Sequence, residues 1–356
     1  MKIISLKGRE AGVARASLIV VAKSFPTDNI RRLLDSTRVF SFKYELVIVA
    51  ANFCKREEDV TKSVICRMRH FTNLTKVKIV LMEEDLGVAY GRNIGAMLAE
   101  SPNLIFADDD VVVLDDVKFL IKYLEDGVCH GVQPLILKLA DPRIVDSAGD
   151  FVRQNNNGFL YVPYSRAAGE NVASLQDLYV EELPSMRGAF MIVKKEVLLE
   201  VGGFDNTFNF GYEEVDLGWR MTISGYKLLF VPFVKVLHTG GRSTDPNRSD
   251  EDTVRMHLVN YYIMQLKITP KHNWPYVFKC FLEKVIDLEL WRIRKMKVDF
   301  LNAVKDMLII TKLLTQRLRS VQLHKELLTE KFHWVGLEKF KQMSLGKRFI
   351  HTSIST

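Results

Sequence analysis

Asn103-Leu104-Ile105-Phe106-Ala107-Asp108-Asp109-Asp110-Val111-Val112-Val113 carries a short apolar run into three consecutive carboxylates and out into a second β-branched run. An apolar run of this length, closed by turn residues, reads as a buried strand. Carboxylates packed this closely repel one another unless a cation gathers them. Asp supplies hard oxygen ligands suited to Mg²⁺ or Mn²⁺, and Mg²⁺ usually binds through one or two carboxylates plus a substrate phosphate. The stretch therefore points to a phosphate-bearing substrate just beyond a strand's carboxyl end, where ligands sit in open α/β sheets. Taken alone, it also fits a solvated acidic turn.

Outward from this strand, apolar runs alternate with helical periodicity between Ser17 and Lys138, which predicts βαβ units and a mainly parallel sheet with helices on both faces. Strands are expected at Leu18–Ala22, Leu46–Ala51, Val77–Met82, Leu104–Ala107 and Val132–Leu137. Helices are expected at Asp28–Arg38, Glu57–His70, Ala89–Glu100 and Asp115–Glu125, with Asp28 and Asp115 placed to cap or charge their N-termini. Residues Asp141 to Glu182 break the pattern and read as a long irregular loop over the site. A short helix, Val193–Val201, stops at Gly202-Gly203. A second helix, Glu213–Ser224, stops at Gly225, and Lys227–Leu237 reads as an edge or bulged strand because Pro232 interrupts it. Asp245-Pro246-Asn247 marks a linker, after which the chain is helical and basic. The expected organisation is a unit over residues 1–250 and a helical basic region over 251–356.

The 356 residues, 47% of them hydrophobic, suffice for one large core with an appendage. Cys54, Cys66, Cys129 and Cys280 stand isolated, with no metal-binding or disulfide spacing, which fits a reducing, cytoplasmic setting. No apolar run reaches the roughly 18 residues of a membrane span, and Leu18–Ala22 is too short for a signal-peptide core. The net charge of +7 is uneven. Residues 255–356 hold 19 Lys and Arg against 8 Asp and Glu, a surplus of +11, so the rest of the chain carries −4. A mildly acidic main unit excludes nucleic acid as the expected partner.

Three further segments bear on chemistry. Asp85-Leu-Gly87-Val-Ala-Tyr-Gly91-Arg92-Asn93-Ile-Gly95 joins a strand to a helix, its glycines allowing close approach of a ligand or a neighbouring element. Gly188-Ala-Phe-Met-Ile-Val continues to Gly202-Gly203-Phe204-Asp205, and Gly211-Tyr-Glu213-Glu214-Val-Asp216-Leu-Gly-Trp219-Arg220 follows. Val236-Leu237-His238-Thr-Gly-Gly comes last. With the three aspartates, this ordered set resembles the inverting family 2 glycosyltransferases of GT-A fold, over about residues 17–242, and is rhamnosyltransferase-like.

The resemblance implies a nucleotide-diphosphate-sugar donor, a divalent cation, Mn²⁺ or Mg²⁺, and an acidic base near Glu213. Asp108 and Asp110 match the outer acids of the D-x-D motif, serving ribose and metal, with Asp109 between them at the donor. Glu213-Glu214 match the acidic pair that usually ends in Asp, and His238 matches a histidine that completes the metal site in some members. Val49-Ala50-Ala51-Asn52 departs from the pattern, since many members place there an Asp that contacts the base; Asn52 or Asp85 is then expected to serve. Gly87, Arg92, Asn93, Arg187 and Gly188 complete the expected donor site.

The residue types also suit the chemistry on their own account. A departing nucleoside diphosphate gains charge that a divalent cation offsets. A carboxylate within reach of the attacking hydroxyl supplies general-base catalysis of about 10²–10⁴-fold. Glu213 and Glu214 open a helix whose dipole favours their ionised forms, and Glu214 is the preferred base. Asp216 is a catalytic candidate that could instead pair with Arg220 one turn on. His238 could equally be an ordinary strand-end histidine, Arg187 could solvate a loop, and Trp219 reads first as core.

From Tyr276 to Ser320, Phe278, Phe281, Leu282, Val285, Leu288, Trp291, Val304, Leu308 and Leu313 recur at helical spacing among Lys and Arg residues. Such a helix can lie on an anionic membrane at its cytoplasmic face, near a lipid-linked or glycan acceptor. It can equally pack on the catalytic unit or on a second copy in a homodimer. Two other functions compete. A sugar nucleotidyltransferase would need a Gly-rich basic loop after the first strand, where Ala22-Lys23-Ser24-Phe25-Pro26-Thr27 stands. A non-catalytic carbohydrate-binding protein of this fold would gain nothing from clustered acids.

Overall fold

The computed structural model describes residues 1–8, 12–23, 27–51, 73–155, 160–175, 178–240, 250–296 and 300–350. Its strands are β1 Lys2–Lys7, β2 Ala16–Ala22, β3 Tyr44–Ala50, β4 Leu74–Leu81, β5 Asn103–Asp108, β6 Val111–Val113, β7 Gly131–Lys138, β8 Val145–Ser147, β9 Asp150–Gln154, β10 Tyr161–Ser165, β11 Glu181–Leu183, β12 Phe190–Lys194 and β13 Leu228–His238. The main sheet runs β1-β4-β3-β2-β5-β12-β7-β13-β11, with β6 on β13 and β8 on β7. β4, β3, β2 and β5 are parallel, as are β7 and β13, and β12 lies antiparallel between the two blocks.

The strands of the parallel block are Val- and Ile-rich and buried almost throughout, as a sheet covered on both faces requires. One face is covered by α1 (Asp28–Ser36) and α3 (Lys118–Glu125), the other by α2 (Val88–Leu98), α4 (Lys195–Glu200) and α5 (Glu213–Ile223). α2 lies close because Gly91 and Gly95 face the sheet; a Cβ on them would meet Val21 at 2.6 Å and Ile19 at 2.3 Å. The chain passes from β2 to β3 and β4 on one side and then returns to β5 on the other. The switch point is therefore at the carboxyl ends of β2 and β5, where Val21 pairs with Asp108.

Several expectations are corrected. β12 occupies the start of the expected Val193–Val201 helix, which begins only at Lys195 because Phe190–Val193 are wholly buried in the sheet. β13 is not an edge strand. It lies between β7 and β11, and a register shift between Val231 and Lys235 accommodates Pro232. The 141–182 stretch holds β8, the β9–β10 hairpin and β11 rather than loop alone. Asp115 does not cap α3, whose N-cap position is Val117; Asp116 accepts from Lys118 N at 3.1 Å just ahead of the helix, while Asp115 accepts from Lys235 N in the bulge at 2.9 Å. The expected helix Glu57–His70 and the Asp245–Asn247 linker lie outside the described residues.

The C-terminal helices are α6 Asp250–Ile268, α7 Trp274–Met296, α8 Phe300–Glu326 and α9 Leu337–Ser344. They share a core with the first unit. Phe208, Val215, Trp219 and Ile223 pack with Val259, Ile263, Phe281, Ile310, Leu314 and Phe340, the Trp219 and Phe340 rings meeting at 5.4 Å. Of the amphipathic set, Phe281 and Val285 are buried here, while Leu282, Trp291 and Leu308 are exposed. Among the described residues no helix is long and apolar enough to cross a membrane.

Candidate active site

Strand pairing assembles the acidic cluster. Asp108 ends β5, and the Asp109-Asp110 turn leads into β6, whose Val111 pairs with His238 at the end of β13. The imidazole thereby comes beside the turn, with Nε2 3.3 Å from Asp110 Oδ1 and 3.9 Å from Asp108 Oδ2. Its other nitrogen, Nδ1, lies 2.9 Å from Oδ2 of Asp146 on β8. One ligand atom from each of Asp108, Asp110 and His238 lies within 4.8 Å of the others. Two hard oxygens and an imidazole nitrogen form a donor set that suits Mn²⁺. The contact between Nδ1 and Asp146 is the kind that fixes a metal-binding imidazole's orientation.

The electrostatics agree with a site that gathers positive charge. Burial, then the neighbouring Asp110 and Asp108, push Asp109 up to about 6. Although burial opposes its charge, His238 is held up to about 10 because its protonated ring donates hydrogen bonds to Asp110 and Asp146. A proton and a divalent cation thus compete for one position.

Arg92 on α2 joins this cluster to the glutamates. Its guanidinium is buried and donates to Glu213 Oε1 at 3.1 Å, Asp108 Oδ1 at 2.9 Å and the Gly188 carbonyl at 2.9 Å. A Cβ on Gly188 would come within 3.0 Å of that guanidinium, so glycine there leaves room for the bridge. Glu213 is buried, and burial followed by Glu214 raises it to about 8. Glu214 is half-buried, and its Oε2 has no hydrogen-bond partner. Both open α5 after Tyr212, which holds the left-handed conformation at φ 70°. That strained entry persists because surrounding structure fixes it: Asn260 Nδ2 on α6 donates to the Phe210 and Gly211 carbonyls at 2.9 and 2.8 Å, and Arg317 holds Asn260.

The other expected site residues divide. Arg187 is partly exposed at 38%. Asp150, Glu214, Asp146 and Asp108 all raise its basicity, Asp150 most. Asp85 accepts from Gly87 N at 2.9 Å and lies 3.4 Å from Lys23 Nζ, shaping the turn into α2, where Gly87 has φ 89°. Asn93 is occupied elsewhere, bonding Phe204 through both its donor and its acceptor, and Asn206 as well. Asp216 points away from the cluster, paired with Arg220 and with Lys267 of α6, each at 2.8 Å. Trp219 is core, fully buried. Asn52 lies outside the described residues.

Sequence reasoning missed Asp146, Asp150 and Lys267. Asp150 is buried below Arg187 and accepts from Ser147 Oγ at 3.0 Å. Lys267 is fully buried, bonding Asp205 at 2.6 Å and Asp216. Asp146 and Asp150 fall in a polar stretch with no motif around them, and Lys267 sits in a basic region whose other lysines, such as Lys271 and Lys279, look alike in the sequence. Only the fold distinguishes them.

No protein-family model matches the chain. It is 25% identical over 228 residues to a pre-mycofactocin glycosyltransferase of Mycobacterium tuberculosis, covering 62% of this chain and 42% of that protein. It is 36% identical over 78 residues to an N-acetylglucosaminyl-diphospho-decaprenol L-rhamnosyltransferase of the same organism, covering 22% of this chain and 25% of that one. The chain thus spans less than half the length of these relatives. Among solved structures, GalNAc-T7 with UDP, GalNAc and Mn²⁺ superposes with a TM-score of 0.51 at 17% identity, covering 72% of this chain and 48% of that one. By fold this is a GT-A chain, and by sequence it resembles glycosyltransferases of the family 2 kind.

Proposed function

We propose that this protein is an inverting, metal-dependent glycosyltransferase that moves a sugar from a nucleotide-diphosphate-sugar donor to a glycan or lipid-linked acceptor. Residues 1–250 form its catalytic unit and 251–356 its helical extension. The observation that carries this reading is the convergence of Asp108, Asp110 and His238 at the sheet's switch point, with Arg92 linking Asp108 to the glutamates of α5. Both relatives are named as glycosyltransferases, and the superposable structure contains UDP and Mn²⁺.

Asp108, Asp110 and His238 would hold the cation, which when bound would offset charge on the leaving diphosphate. The protein's own groups do the rest. Arg92 is spent on Asp108 and Glu213, which fixes the two acids relative to each other. Glu213 is thereby committed to the scaffold, whereas Glu214 is partly exposed, has no ion-pair partner among the described residues and acts as the base that takes the acceptor hydroxyl's proton. Arg187 is the partly exposed cation facing the same acids and contacts the donor's phosphates. Attack opposite the leaving group in one displacement inverts the anomeric centre.

The deciding experiment is a panel of nucleotide sugars screened for thermal stabilisation with Mn²⁺, then for transfer, with the product anomer read by NMR. Binding to the folded state raises Tm with the logarithm of ligand concentration. A protein stabilised by no nucleotide sugar, or a product that retains the donor's anomeric configuration, would overturn the proposal.

A further inference from the structure

The C-terminal hairpin of α7 and α8 leaves an apolar groove of about 480 Å³ between its helices. Leu282, Ile286, Leu290 and Ile293 recur along one side of α7, next to the buried face of Val277, Phe281 and Val285 rather than on it. On α8 the opposing wall runs through Phe300, Val304 and Leu308. Phe300, Leu301 and Leu308 are exposed at 71%, 70% and 66%. A contiguous apolar surface of this kind marks an interaction site.

Its rim is positively charged. Lys305 and Lys312 follow Leu301 and Leu308 by four residues, one helical turn on, and Arg294 follows Leu290 by the same interval. Among the described residues no carboxylate pairs with these three cations. The exposed acids of α7, Glu283 and Asp287, are each 3.8 Å from a lysine, Lys279 and Lys284. The buried acids Glu289 and Asp306 belong to Arg292 inside the hairpin.

We propose that this groove docks on an anionic lipid bilayer, its leucines and Phe300 entering the acyl boundary and Lys305, Lys312 and Arg294 meeting headgroup phosphates. An apolar stripe rimmed by Lys and Arg is the pattern of a helix that lies in a membrane interface, and basic residues add attraction to an anionic surface. A second copy of the chain is the poorer occupant. In a two-fold dimer the same patch meets itself, which would set these unpaired cations against one another. The proposal is independent of the catalytic reading, because binding is measured without turnover.

The test is flotation of the full chain with phosphatidylglycerol–phosphatidylcholine vesicles and with phosphatidylcholine vesicles alone. The comparison variants are Leu301→Ser/Leu308→Ser and Lys305→Glu/Lys312→Glu, both at exposed positions. The expected result is flotation with the anionic vesicles only. It is lost when salt shortens the screening length to about 3 Å, and partitioning falls roughly tenfold or more in each variant pair. No flotation at low salt, or flotation unchanged in either pair, would overturn the proposal. So would a dimer, seen by sedimentation velocity, that Leu301→Ser/Leu308→Ser dissolves without vesicle binding by the wild type.

Discussion

The imidazole of His238 is held between two carboxylates, Nδ1 at 2.9 Å from Asp146 and Nε2 at 3.3 Å from Asp110. Asp146 therefore sets which nitrogen faces the acidic cluster. Asp146→Asn is expected to weaken Mn²⁺ binding by about 10–100-fold, the usual cost of losing a partner behind a metal ligand. Mn²⁺ titration followed by electron paramagnetic resonance measures it, and wild-type affinity in the variant would refute the role.

Glu214 and Glu213 should separate on substitution. Glu214→Gln is expected to lower turnover by about 10²–10⁴-fold with donor affinity little changed, as loss of a general base does. Glu213→Gln instead removes a partner of Arg92 and should lower Tm as well as activity. If Glu214→Gln abolished donor binding, the base assignment would fall.

Arg92 is a buried cation between two acids. Arg92→Met is expected to cost about 3–5 kcal/mol, because Asp108 and Glu213 lose their shared counter-charge. Urea unfolding at neutral pH reads the change.

Acid should loosen the junction between α5 and α6. Burial works to raise Asp205 and Asp216, but Lys267 holds Asp205 below its usual range, and Arg220 with Lys267 does the same for Asp216. A carboxylate lowered in the folded state binds fewer protons there than in the unfolded chain. Its stabilisation is complete above the ordinary carboxylate pKa of about 4 and is lost as pH falls below it. Lys267→Met should lower Tm at pH 7 and flatten the decline below pH 4. A parallel Tm–pH curve in the variant would contradict this.

Gly95→Ala sets helix propensity against packing. Alanine favours a helix interior by about 1 kcal/mol, yet its Cβ would sit 2.3 Å from Ile19 Cγ2. Overpacking of about 1–3 kcal/mol should win, and a stabilised variant would show that α2 can move away from the sheet.

The central strands were legible because burial on both faces makes them unbroken apolar runs. β1 was not, since its outer position leaves it largely exposed and without such a run. β12 was missed for a related reason. Phe190–Val193 are apolar in any structure, and only the sheet's place for them decides between helix and strand. At the site, Asp108, Asp110, Glu213, Glu214 and His238 stood in ordered motifs. Asp216 and Asn93 stood in the same motifs yet serve the scaffold, because residues one or two positions apart on a helix, as Asn93 is from Arg92 and Asp216 from Glu214, face different ways. Asp146 and Lys267 act through partners 92 and 51 positions distant, which no local pattern records.

Because Phe340 covers Trp219 and Asn260 ties down the entry to α5, the helix bearing Glu214 is completed by chain that leaves the ribosome well after it. During synthesis that helix waits with a greasy outer side uncovered, so an abbreviated product ending near residue 240 should accumulate as aggregate rather than as a smaller working enzyme.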